Sequence, residues 1–249
     1  TGTVIEATDL FAKDVQALGL QRNRRTQYRV QRLDGDRSYI VHINTYPINI
    51  EARYVLTYAA AEPPSNSSTG LITLEMNSSM VLLPKEPMMQ RLADQRVGWF
   101  GRSYVDYGAD AQKAESRRFL DRWRLEVKEE DMEKFKRGEL VEPKKPIVYY
   151  IDPATPTKWV PYLKQGVEDW QKAFEAAGFK NAIIAKEAPS PEEDPTWSPE
   201  DARYSVIRYF ASDIQNAYGP HVSDPRSGEI IESDIGWYHN VMNLLRNWF

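Results

Sequence analysis

The spacing of apolar and polar positions changes character along the chain. Residues 26–60 read as three strands: TQYRVQRLD, RSYIVHINTYP and EARYVLTYAA. The DGD at 34–36 supplies a turn between the first two. In RSYIVHINTY, Tyr39, Val41, Ile43 and Thr45 fall on one side and Ser38, Ile40, His42 and Asn44 on the other. This period of two predicts a sheet with one buried face. A short strand, TVIEA, precedes these, followed by a helix capped by Asp9 and stopped at Gly19. EPPSNSSTG at 62–70 is a loop, LITLEMNSSMVLLP returns to strand, and RVGWFGRSYVDYG at 96–108 is a further aromatic strand or pair. From 109 to 146 both charge signs crowd together, which predicts a solvated connector, with Ala114, Arg117 and Phe119 on a helix. EPKKP closes it with two prolines.

Beyond that point the period shifts. IVYYI at 147–151 is the continuous apolar run of a strand covered on both faces. Leu163, Val167, Trp170, Phe174 and Ala177 then draw one stripe at helical spacing, predicting a single long helix. Gly178 stands where a left-handed residue ends such a helix. NAIIA and RYSVIRYFAS are further strands. DPRSG at 224–228 is a turn, and it leads into an alternating strand. Ile231, Ser233, Ile235 and Trp237 share one face of that strand, and Ile230, Glu232 and Asp234 the other. Such a strand fits a sheet edge or cleft wall, where free backbone groups accept an extended peptide. The candidate substrate-binding residues are therefore Glu229, Ile230, Ile231, Glu232, Ser233, Asp234 and Ile235. An ordinary half-exposed strand gives the same alternation.

Composition narrows the chemistry. Hydrophobic residues make up 41% of 249, enough for a packed core. The net charge of −4 and pI near 5.6 argue against nucleic acid as a partner. No cysteine is present, which removes disulfides, thiol catalysis and cysteine-bound metal. No apolar run is long enough to span a membrane. No signal peptide is visible; the chain begins at Thr1 and not Met, which leaves room for an upstream segment, and export to the periplasm, cell surface or medium is the expectation. His221 reads as a loop residue and His239 as a packing or capping one. Glu229, Glu232 and Asp234 suggest paired carboxylates only weakly, since a solvated strand face looks the same. Trp99, Phe100, Tyr104 and Tyr107 read as cross-strand core packing before a sugar-stacking platform. Asn66 and Asn77 each open an N-x-Ser pattern of the kind that is glycosylated.

IVYYIDPATPTKWVPYLKQGVEDWQKAFEAAGFKNAIIAKEAP, DARYSVIRYFAS and GPHVSDPRSGEIIESDIGWYHNVM together resemble the first half of a catalytic domain. It is that of large, metzincin-like bacterial zinc metallopeptidases, frequent among Bacteroidetes and often labelled only as domains of unknown function. Upstream, ITLEMNSSMVLLP, RVGWFGRSYVDYG and GELVEPKKP resemble the accessory domain that precedes it. The resemblance implies an α+β chain: a β-rich accessory domain at 1–108, a charged connector at 109–145, and a partial catalytic domain at 146–249. It implies strand, long helix, strand, strand, then an antiparallel edge strand that aligns substrate, with a zinc-binding HExxH helix after it. Zinc-activated water would hydrolyse a peptide or protein substrate. This sequence has no HExxH; its histidines are His42, His221 and His239. No catalytic or metal-binding residue is therefore carried over. Zinc is expected in the intact protein only, together with a remaining C-terminal catalytic region, and the chain alone is expected to be inactive. A protein- or glycan-binding module is the competing expectation.

Overall fold

The computed structural model describes residues 6–65 and 67–248. The chain divides into two compact units, Thr1–Leu82 and Leu83–Phe249. By contact, residues 83–145, the charged stretch at 109–145 included, group with the second unit.

In the first unit, α1 (Thr8–Phe11) and α2 (Arg22–Gln27) precede β1 (Val30–Leu33), β2 (Tyr39–Thr45), β3 (Asn49–Ala60) and β4 (Leu71–Val81). The TVIEA strand falls mostly outside the described residues. Residues 22–27, partly expected as strand, are helical. Arg29 at φ 49° reverses the chain into β1. The DGD turn is a 3-10 turn (Gly35–Arg37), but it does not join hairpin partners. β1 and β2 instead both pair antiparallel with β3, and β4 runs antiparallel along β3's other side. Alternation along β3 explains the layer: Ala52, Tyr54, Leu56 and Tyr58 point into one core with Phe11. The Tyr54 hydroxyl donates to the Leu18 carbonyl oxygen at 2.7 Å, so even this aromatic core leaves its polar tip paired. Glu51, on the opposite face, is buried. It accepts from Asn49 Nδ2 (2.7 Å), Asn77 Nδ2 (2.8 Å) and Ser79 Oγ (2.6 Å).

The second unit opens with a hairpin, β5 (Gly101–Asp106) and β6 (Glu115–Leu120). Residues 115–120, expected on a helix, are thus a strand, in which only Phe119 is buried. After α3 (Met132–Lys136) come β7 (Ile147–Ile151), α4 (Val160–Glu168), α5 (Gln171–Ala176), β8 (Ile183–Glu187) and β9 (Ser205–Phe210). Three short strands follow, β10 (Ala217–Tyr218), β11 (Val222–Ser223) and β12 (Ile230–Glu232), then β13 (Ile235–Tyr238) and α6 (Val241–Trp248). The main sheet has the order β10-β13-β9-β7-β8. All its pairings are parallel except β10 with β13. Ile147, Tyr149, Ile151, Val167, Ala185 and Ile207 form the core between sheet and helices. The single long helix expected along the stripe from Leu163 to Ala177 is broken at Asp169–Trp170. Trp170 is 65% exposed, so the stripe drawn through it is not continuous core. Gly178 at φ 94° does end α5, with Phe179 folded back beneath it onto Phe135. The chain is therefore α+β, with a β-rich first unit and a mixed sheet with helices in the second.

Candidate functional site

The segment 217–238 carries the candidate site, and the structure divides it differently from the single strand expected. DPRSG forms the turn of a hairpin between β11 and β12. Asp224 is fully buried and takes hydrogen bonds from the Arg226 backbone N–H (2.8 Å) and guanidinium (2.7 Å). That guanidinium holds its carboxyl below the usual carboxylate range, against an opposing push from burial. Gly228, at φ 75°, supplies the left-handed step into β12.

Each residue of the expected edge strand has a structural task. Glu229 forms a two-pronged pair with Arg124, at 2.9 and 2.6 Å, with only 12% of its side chain exposed. The main chain beside it is stitched to 122: Arg122 N–H donates to Gly228 O (2.8 Å) and Ile230 N–H to Arg122 O (2.9 Å). Ile230, Ile231 and Glu232 form β12, paired with β11 and not with the main sheet. Ser233 breaks the run. Its N–H donates to Ser205 Oγ (3.0 Å) and its hydroxyl to the Pro220 carbonyl (2.9 Å). Asp234 accepts from the Val206 N–H (2.9 Å). Ile235 begins β13, inside the sheet and parallel to β9, and packs against the core. The expected strand is thus divided between two sheets: Ile230–Glu232 lie in the two-stranded sheet with β11, Ile235 lies inside the main sheet, and the antiparallel edge of the main sheet is β10. Alternation alone did not show the break, because Ser233 and Asp234 fit a strand pattern while their side chains serve turn and cross-strand bonds.

β10 is exposed at both residues. Tyr218 lies across the bare backbone of Gly236, where any side chain would collide with its ring, and stacks at 5.9 Å on Tyr238. Burial raises the Tyr218 phenol above its ordinary value. Beside the neighbouring hairpin, His221 Nε2 lies 2.9 Å from Asp121 Oδ2, and Arg102 Nε donates to Ser223 Oγ at 2.8 Å. Asp121's other oxygen is buried without a hydrogen bond, 3.4 Å from Arg102 Nε. Sequence reasoning placed His221 in a loop but gave no sign of this long-range partner. His239 Nδ1 meets the Tyr209 hydroxyl at 3.0 Å, a packing role as expected. Burial, reinforced by Arg91 and Arg124, pulls the Arg122 guanidinium below its ordinary value.

One aromatic feature departs from expectation. Trp99, Phe100 and Tyr107 are 60%, 78% and 86% exposed, so this run is a surface row and not core; only Tyr104 leans on Phe119. On the helix side of the sheet, an apolar cavity of about 370 Å³ opens beside Trp123, Leu163, Gly166, Trp170 and Trp237. Asn77 lies in β4 with its amide committed to Glu51, and Asn66 lies outside the described residues.

The donor set does not fit zinc: among the described residues no three His, Asp or Glu side chains converge on a point. Nor, among them, is any helix long and apolar enough to cross a membrane. What the segment offers is a two-residue antiparallel strand at the end of the main sheet, with the Ala217 N–H donating to Asn216 Oδ1 at 2.8 Å. A family profile described as "Domain of unknown function (DUF5117)" matches residues 1–128, the whole first unit and the β5–β6 hairpin. No curated protein and no solved structure matches the chain.

Proposed function

The chain belongs to the DUF5117 family, and on that premise we propose that its second unit is the substrate-aligning part of a metzincin-like zinc metallopeptidase. The observation that carries the reading is the order of elements. Strand, helix pair, strand, strand and antiparallel edge follow one another as β7, α4–α5, β8, β9 and β10, with β13 and α6 after them. In this reading β10 takes a peptide as an added strand. The residues first assigned to that role, Glu229–Ile235, act behind it: they fasten the hairpin and the interior strand on which β10 rests. Zinc belongs to residues outside this chain, and no chemical step is assigned to the residues present. The product of the whole protein would be a hydrolysed peptide bond, and its location outside the cytoplasm.

The test is a titration of isotope-labelled chain with unlabelled extended peptides, followed by amide shifts. Perturbation confined to 216–219 and their partners Gly236 and Trp237 is the expected result. Unmoved β10 amides at millimolar peptide refute strand addition there. A second reading, a glycan- or protein-binding module, is favoured by the exposed row Trp99, Phe100 and Tyr107, which suits sugar stacking. Oligosaccharides that shift those indole and ring signals would favour it.

A further inference from the structure

β4 is an open sheet edge of unusual length. Among the described residues of its unit, it pairs with β3 alone. The register runs unbroken from Asn49↔Val81 to Ala59↔Leu71, without a bulge. Natural edges are blunted by proline, lysine, bulges or brevity. LITLEMNSSMV has none of these, and its one charged residue is Glu75.

The direction of its free backbone groups follows from two bonds that flank the ladder. Ala60 N–H donates to Gly70 O at 2.8 Å and Leu82 N–H to Ile48 O at 2.7 Å. Hydrogen-bonded pairs alternate in an antiparallel ladder. The even-numbered residues of β4 therefore bond to β3. Leu71, Thr73, Glu75, Asn77, Ser79 and Val81 turn their N–H and C=O groups outward, and at the strand's start the Leu71 N–H reaches Thr69 Oγ1 at 3.4 Å.

We propose that this edge pairs with β4 of a second copy, antiparallel about a two-fold axis at Met76, making one continuous sheet across two subunits. The sequence is self-complementary in that register. Outward-bonding residues meet outward-bonding residues: Leu71 with Val81, Thr73 with Ser79, and Glu75 with Asn77 of the other copy. On the core face Ile72 meets Met80, Leu74 meets Ser78, and Met76 meets itself. Met80, 40% exposed in the single chain, gains an apolar neighbour. Charge selects this register over its neighbour. Shifted by one residue in each copy, Glu75 would stand opposite Glu75, two carboxylates in one pair, each with a single exposed Arg53 partner at 3.6 Å in its own copy. The Met76-centred register also pairs all of Leu71–Val81, whereas other registers leave strand ends unpaired. A two-fold axis makes the contact isologous and closed, so it stops at a dimer.

Light scattering and sedimentation of the full chain test this. The expected result is a species of twice the 28.8 kDa chain mass at tens of micromolar. On dilution it should give monomer, and its hydrogen exchange should show concentration-dependent protection of the Thr73, Glu75, Asn77 and Ser79 amides. Glu75→Pro removes an outward N–H and leaves the bonds to β3, so it should raise the dissociation midpoint by about tenfold or more. A chain that stays monomeric overturns the proposal, as does a dimer whose midpoint ignores Glu75→Pro. Should that variant fail to fold, unprotected β4 amides in the wild-type dimer overturn it equally. None of these outcomes depends on whether β10 binds peptide.

Discussion

Gly228→Ala is the sharpest test of how the 224–229 turn is built. Two separate costs meet at that position. At φ 75° an L-residue pays about 1–2 kcal/mol that glycine does not. A methyl group there would also lie closer than 3.0 Å to the Leu120 carbonyl oxygen, and 3.1 Å from the Phe119 ring. That oxygen belongs to backbone and cannot rotate away. The stitch between Arg122 and residues 228–230 holds the two segments together, so relief means moving both. Forcing atoms into packed space costs about 1–3 kcal/mol. The sum is about 2–5 kcal/mol. Gly138→Ala separates the two costs, because Gly138 has φ 82° and nothing within 4 Å of an added methyl. It should cost only the conformational share, about 1–2 kcal/mol. All seven tryptophans lie at or beyond Trp99, so urea unfolding followed by indole fluorescence reports the second unit alone. Equal losses for the two variants would refute the account of the turn as a close-packed clamp.

Three further outcomes follow from the same geometry. Glu51→Gln replaces an acceptor with a donor facing Asn77 and Ser79; it should destabilise the first unit by about 1–3 kcal/mol, read as faster hydrogen exchange at Ala52–Leu56. Asp224 has its carboxyl held low by Arg226, so its contribution is full above the unfolded-chain value of about 3.9 and is lost as pH falls through the lower folded value. Asp224→Asn should thus lower stability at pH 7, and the gap between variant and wild type should narrow below about pH 4; a gap constant with pH would contradict the assigned pair. Gly166→Ala adds a methyl to α4 in open space beside the apolar cavity and should stabilise the second unit by about 0.5–1 kcal/mol in the same urea assay.

Much of the fold could be read from the chain, and two failures have opposite causes. IVYYI, RYSVIRYFAS and EARYVLTYAA announced β7, β9 and β3 because burial on a sheet writes its own period into the sequence. Gly178 announced a helix end because little else tolerates its backbone angle. The break at Asp169–Trp170 was hidden, because the apolar spacing carries across it: Val167 is core and Trp170 is not, yet both fit one helical stripe. β5 lies within the strand read at 96–108, but its partner β6 was hidden for the opposite reason. ESRRFL buries only Phe119 fully, so its strand period is drowned by charge.

The candidate site was less legible because its order comes from pairings distant in sequence. The 229–238 segment does alternate, but alternation does not say which neighbour a strand has. Glu229 is claimed by Arg124, 105 residues away, and Asp234 by the Val206 N–H, 28 residues away. These two bonds pull residues five positions apart toward different partners, and the chain must turn between them at Ser233. β12 is drawn to β11 and β13 to β9, which leaves the edge to two residues, Ala217 and Tyr218, too few to show a period. What does mark β10 in the sequence is its partner. Gly236 sits in the interior strand, where glycine weakens a sheet unless something must approach closely. The Tyr218 ring fills that gap, so Gly236→Ala should expel it and unpair the edge. Loss of the β10–β13 amide protection, with β7–β9 protection retained, would show that one missing side chain sets the sheet's boundary. Loss throughout the sheet would show that β10 is part of the core and not a separable edge.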